Sequence, residues 1–80
     1  MEATMEKVLE ILMDVRPDVD FMNETKLIDD GILDSFDIIA ITAGFNEEFD
    51  IEIPIDELEP YNYNTVEAIW NLIQRLQEED

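Results

Sequence analysis

Gly31-Ile32-Leu33-Asp34-Ser35-Phe36-Asp37-Ile38-Ile39-Ala40-Ile41-Thr42-Ala43-Gly44-Phe45-Asn46-Glu47-Glu48-Phe49 is the most informative stretch of the chain. It reads as a turn that opens a long helix. Asp34 suits the N-cap, because its carboxylate can accept from the free amides of the first turn, and Ser35 then takes the first helical position. Leu33 before the cap and Ile38 in the first turn are spaced as a hydrophobic staple. Asp37 stands where a capping box prefers Glu or Gln; it favours the helix dipole but is expected to reach back less well. Ile38, Ile41, Phe45 and Phe49 recur at three and four residues and form a core stripe. Phe36, Ile39, Ala40 and Ala43 gather on the opposite side. A helix apolar on two faces is either clamped centrally or offers one face to a partner. Gly44 costs an exposed helix about 1 kcal/mol relative to alanine, and the sequence offers no reason for it.

Upstream, Met5, Val8, Ile11, Leu12 and Val15 lie opposite Glu2, Glu6, Glu10 and Asp14, which predicts an amphipathic helix from about Thr4 to Val15. Arg16 complements its C-terminal dipole, and Pro17 stops it. Residues 17–33 hold no period. Turn residues such as Asp18, Asp20, Asn23 and Asp29-Asp30-Gly31 alternate with apolar anchors at Val19, Phe21, Leu27 and Ile28, so a long loop pinned onto the core is expected. Downstream, Ile51-Glu52-Ile53-Pro54-Ile55 alternates like a strand but has nothing to pair with, and Pro54 disfavours a ladder. An extended connection whose isoleucines seal the core is the better reading. A short helix opening at Pro54 or Ile55 and ended by Pro60 should follow. Tyr61 and Tyr63 read as plugs at the core edge. The last helix is expected from Asn64, with Asn64 and Glu67 as a capping box and Val66, Ile69, Trp70, Ile73 and Leu76 as its buried stripe; Glu78-Glu79-Asp80 should fray. The fold class is all-α: a small four-helix bundle of three main helices and one short one.

Eighty residues set one domain, 1–80, as the expectation. With 22 Asp and Glu against 4 Lys and Arg, the formal charge is -18. Such a surface repels phosphate backbones and anionic headgroups, which excludes nucleic acid and membrane surfaces as partners. The charge also opposes compaction, but the apolar residues recur at helical spacing and argue for a fold. No apolar run approaches the roughly 20 residues of a membrane span. Met1 to Glu6 lacks the basic start and apolar run of a signal peptide, so a cytoplasmic protein is expected.

The chain has no histidine and no cysteine. Zinc sets, thiol nucleophiles and the commonest general base are therefore missing, and an enzyme is not expected. A calcium loop also fails. Counting from Asp18 puts Met22 at the fifth position and Asn23 at the sixth, and counting back from Gly31 puts Lys26 at the first. No metal site and no catalytic residue is assigned. What remains is Ser35, the only serine in the chain. At a helix opening, free amides and the positive dipole end favour a phosphate ester, although serine also begins many helices for no further purpose.

Gly31-Ile32-Leu33-Asp34-Ser35-Phe36 resembles the phosphopantetheine attachment motif of acyl carrier proteins and related carrier domains. Glu47-Glu48-Phe49-Asp50-Ile51-Glu52-Ile53-Pro54 resembles the stretch that closes their second helix, and Thr65-Val66 the start of their last. The resemblance implies 4′-phosphopantetheine on Ser35, with Asp34 as motif partner and cap, holding acyl groups as thioesters for fatty-acid or polyketide-type synthesis. It implies a docking surface at Phe36, Asp37, Ile39, Ala43, Glu47 and Glu48, with Asp34 among the acidic groups. The implied partners are a phosphopantetheinyl transferase using coenzyme A and magnesium, and acyl-transferring, synthase or ligase enzymes with basic patches. A monomer is expected. Two residues, Ile32 and Leu33, separate the motif glycine from Asp34, where fatty-acid carriers usually have one. That spacing is more similar to D-alanyl and aminoacyl carriers and to modular synthase domains. Ala40 and Asn46 stand where fatty-acid carriers commonly have acids. An aminoacyl carrier loaded by an adenylating ligase is the alternative, and an unmodified helical interaction module is the alternative of another class.

Overall fold

The computed structural model describes residues 3–79, so Met1, Glu2 and Asp80 lie outside the described residues. Helix α1 spans Met5–Val15. Thr4 caps it, its hydroxyl accepting from the Lys7 amide at 3.2 Å. Val8 and Leu12 are buried, Met5, Leu9, Ile11 and Val15 pack beside them, and Glu6, Glu10 and Asp14 face solvent. The helix ends before Pro17, with the Arg16 amide donating to Leu12 O.

Residues 17–33 form consecutive turns pinned by Phe21, Leu27 and Leu33, all buried. Gly31 turns the chain toward α2 at φ 70°, a left-handed conformation that glycine adopts without a Cβ penalty. Helix α2 spans Ser35–Phe49. Asp34 accepts from the Asp37 amide at 2.9 Å, and Asp37 accepts from the Asp34 amide at 3.2 Å. The capping box is therefore complete, and the reach-back to Asp37 is the longer of its two bonds. Ile41, Phe45 and Phe49 are buried and Ile38 packs against the core. The helix stops at Asp50, in the left-handed region at φ 52°. The second apolar face stays open: Phe36, Ile39, Ala40 and Ala43 are all exposed, so α2 is not clamped from both sides. Gly44 now has a reason. A Cβ there would sit 2.9 Å from Ile11 Cγ2, so the glycine permits the close approach of α1 and α2.

Residues 51–54 are extended, with Ile53 buried and its amide donating to Asn46 Oδ1 at 3.0 Å. Ile55 departs from the expected seal; it is 83% exposed. A single 3-10 turn covers Ile55–Glu57, and Pro60 opens helix α3, Pro60–Tyr63, instead of ending the preceding one. Proline suits a first helical position because the amide it lacks would have had no partner there, and its ring holds Glu59 extended. Tyr63 is fully buried, whereas Tyr61 is 69% exposed and plugs nothing.

Helix α4 spans Val66–Glu78 and is capped by Thr65, not Asn64, with Thr65 Oγ1 accepting from the Ala68 amide at 3.0 Å. Asn64 is used elsewhere. Its Oδ1 accepts from the amides of Ile28 and Asp29 at 3.0 and 3.1 Å, and its backbone carbonyl accepts from Leu27. It therefore stitches the long loop to the end of α3. Leu72 is buried with Val66, Ile69 and Ile73, while Trp70 and Leu76 are only half-buried. Trp70 donates from Nε1 to Ala3 O at 3.2 Å, and Arg75 pairs with Glu57 at 2.9 Å. Glu78 remains helical. Packing α1 against α2 and α4, with α2 and α3 also on α4, encloses one core and leaves Asp34, Ser35 and Phe36 at the start of α2 exposed.

Candidate functional site at the start of α2

The Asp-Ser turn is built from three directions. Gly31 supplies the bend, buried Leu33 anchors the chain before the cap, and the Asp34–Asp37 box closes the first helical turn. Ser35 is exposed at the first helical position, and its hydroxyl makes no hydrogen bond among the described residues. The amides of Ser35 and Phe36 likewise have no protein partner among the described residues. The turn thus presents an accessible oxygen beside two free N–H donors and the positive end of a fifteen-residue helix.

Arg16 braces this turn from behind. Its Nη1 donates to Asp37 Oδ2 at 2.6 Å and to Ile32 O at 3.1 Å, while Nε and Nη2 grip Asp18 at 3.0 and 2.9 Å. These bonds, from Asp18 foremost and then Asp37, hold the guanidinium above its ordinary pKa, and Arg16 holds the Asp18 carboxyl below the ordinary carboxylate range. The sequence assigned Arg16 only to the dipole of α1. Its reach across 21 residues to Asp37 is a tertiary contact that no local pattern encodes.

Beside Ser35 lies a cleft of about 300 Å³, lined by Ser35, Ile38, Ile39, Ile55 and Leu58. Apart from Ser35, every lining residue is apolar. Sequence reasoning missed Ile55 and Leu58: strand-like alternation puts Ile55 on the same side as buried Ile53, and only the 3-10 turn that opens at Ile55 carries it outward. Behind α2, Tyr63 meets Thr42 at 2.7 Å in a buried hydroxyl pair, and burial pushes the phenol up to about 12.

The expected docking residues fall into two groups. Phe36 is 84% exposed and Ile39 61%, with Ala43 and Glu47 exposed on the same helix. Asp37 instead points inward, 14% exposed and bonded to Arg16, and Glu48 pairs with Lys7 at 3.5 Å. Asp34 is exposed, but its carboxylate serves the cap. Among the described residues no three acidic groups converge as a metal site, and no helix is long and apolar enough to cross a membrane.

Residues 3–73 match the family model described as the phosphopantetheine attachment site. The chain is 40% identical over 53 residues to an acyl carrier protein of Buchnera aphidicola subsp. Baizongia pistaciae, covering 66% of this chain and 65% of that protein, just under two thirds of its length. It is 32% identical over 76 residues to a D-alanyl carrier protein of Listeria welshimeri, covering 92% of this chain and 97% of the other. D-alanyl carrier protein 1 of Lactiplantibacillus plantarum is 31% identical over 78 residues, covering 96% and 98%. No solved structure matches. The site suits the prosthetic group of this family, since a free hydroxyl, two unpaired amides and an apolar cleft accommodate a phosphodiester and the arm that leaves it. The four-helix fold, the attachment motif and a family match across most of the chain agree: this is a non-enzymatic carrier protein of the phosphopantetheine-binding family, whose cofactor is 4′-phosphopantetheine.

Proposed function

We propose that Ser35 Oγ is the attachment point and that the protein carries acyl groups as thioesters between partner enzymes. The observation that carries this reading is the exposed, unengaged Ser35 hydroxyl at an anion-favouring helix start. When bound, the arm supplies the thiol that the sequence lacks. Asp34 and Asp37 hold the first turn so that the Ser35 and Phe36 amides can face a phosphodiester. Phe36, Ile39 and Ala43 form the apolar surface beside it, and Glu47 adds charge for a basic patch on the partner. Such charges speed encounter and set orientation more than they deepen affinity, which suits a carrier that must let go. Asp37 and Glu48, already paired within the chain, serve the fold before they serve any partner.

Incubation with coenzyme A and a broad-specificity phosphopantetheinyl transferase should raise the intact mass by one arm, and Ser35→Ala should abolish the increase. No increase with several active transferases would leave the interaction-module reading. Two cargo classes remain in play. An acyl carrier in fatty-acid or polyketide-type synthesis is favoured by the apolar cleft at Ser35 and by the 40% identical segment. A D-alanyl carrier is favoured by the Ile32-Leu33 spacing and by matches spanning more than nine tenths of both chains. Loading by a malonyl transferase against loading by an amino-acid adenylating ligase separates them. We further read residues 1–80 as one cytoplasmic, monomeric domain.

A further inference from the structure

We propose that Arg16 is a positioning residue for modification at Ser35, holding residues 32–37 in the geometry that presents the hydroxyl to the transferase. The inference rests on Ser35 being the attachment point. Nη1 of Arg16 touches both sides of the serine: the Ile32 carbonyl lies three residues before it, and the Asp37 carboxylate two residues after it. The same Asp37 oxygen that accepts from Arg16 also accepts from the Asp34 amide, so one atom, Oδ2, joins the clamp to the capping box. Asp18, itself 66% exposed, meets the other edge of the guanidinium, away from the turn. Arg16 itself stands at the C-terminal end of α1, directly before Pro17, so its backbone is set by a rigid helix and a restricted ring. The planar fork matters because one guanidinium makes four hydrogen bonds here, spread over three nitrogens, one more than the three donors that an ammonium carries on a single atom.

Transfer requires a defined presentation. The Ser35 oxygen forms a new bond to the phosphorus of coenzyme A that becomes the phosphodiester. The bond from that phosphorus to the bridging pyrophosphate oxygen breaks, adenosine 3′,5′-bisphosphate leaves, and the hydroxyl proton passes to a base on the transferase. A small misplacement of a reacting atom costs much of the rate. Loosening the turn should therefore lower the rate of transfer once bound more than it lowers the binding of the carrier, because Phe36, Ile39 and Glu47 keep their exposure.

The test measures modification kinetics by intact mass, together with amide hydrogen exchange, for wild type, Arg16→Met, Arg16→Lys and Asp18→Asn. Arg16→Met should reduce kcat for the carrier substrate about tenfold with KM changed less than threefold. Exchange at the bonded amides of Asp34, Asp37 and Ile38 should quicken about tenfold while Ile69–Ile73 in α4 stays protected. Arg16→Lys keeps the charge and a single donating nitrogen and should recover part of the loss, which also covers the case of a poorly folded Arg16→Met. Asp18→Asn leaves both contacts to the turn and should stay within about twofold of wild type. Wild-type kcat in Arg16→Met and Arg16→Lys, or unchanged exchange at the Asp34, Asp37 and Ile38 amides, would overturn the positioning role alone. A wild-type protein that takes no arm on Ser35 would instead overturn the attachment reading, and this proposal with it.

Discussion

Adding one methyl group at Gly44 sets two opposed effects against each other, and the structure determines which prevails. Gly44→Ala should gain about 1 kcal/mol of helix propensity in α2. The new Cβ, however, would lie 2.9 Å from Ile11 Cγ2, well inside van der Waals contact. Cγ2 sits on the branched Cβ of an isoleucine in α1, where χ1 has little freedom, so the methyl cannot swing aside and the helices must part. Overpacking of this kind costs about 1–3 kcal/mol. The net expectation is destabilisation by about 1 kcal/mol, a fall in melting temperature of about 4–8 °C. Ile11→Leu moves the branch one carbon outward and removes the offending methyl. In that background Gly44→Ala should stabilise by about 0.5–1 kcal/mol, a coupling of about 1.5–2 kcal/mol between the two sites. Urea unfolding followed by circular dichroism reads all four proteins, with an unchanged m value confirming that the folded states are alike. A stabilised Gly44→Ala in the wild-type background, or additive effects, would refute the clash.

Asp34→Ala removes the cap of α2 and should cost about 1 kcal/mol in urea unfolding, while leaving the exposed hydroxyl of Ser35 in a frayed first turn that takes the arm more slowly. Asn64→Ala deprives the Ile28 and Asp29 amides of their shared acceptor; a loss of about 1–2 kcal/mol is expected, with exchange accelerated at those two amides first. The Tyr63 phenol, raised to about 12 by burial, keeps its proton in the folded chain after the unfolded chain has lost it near pH 10. Its contribution is thus fully present below pH 10 and is lost between pH 10 and 12, at about 1.4 kcal/mol per pH unit. Tyr63→Phe should flatten that part of a stability-against-pH curve. Phe36→Ser should leave stability within about 0.5 kcal/mol because the ring is 84% exposed, yet raise KM several-fold for an enzyme that acts on the carrier; an unchanged KM would remove Phe36 from the docking surface.

Local signals carried far in this chain because most of its structure is local. Thr4 to Val15, and Asp34 to Phe49, announce their helices through periodicity and caps, and the boundaries agree within a residue. Misreadings gathered where two local signals compete. Asn64 and Thr65 are both good caps, and Thr65 serves because Asn64 is drawn off to bind the loop 36 residues away. Pro60 can end one helix or begin another; the 3-10 turn at Ile55–Glu57 had already closed, so it begins one. The serine and its cap were legible as an anion-favouring helix start. The Arg16 clamp, the use of Gly44 and the far wall of the cleft were not, since each depends on which elements meet.

The most direct test of the account is fragment-ion mapping of the arm on protein purified from its native cells. The mass of 4′-phosphopantetheine, with whatever acyl group it bears, should fall on Ser35 and on no other hydroxyl, and the attached acyl mass would at once distinguish a D-alanyl from a fatty or polyketide cargo. An arm mapped to Thr25, Thr65 or any residue other than Ser35, or a chain wholly unmodified in cells whose other carriers are modified, would contradict it.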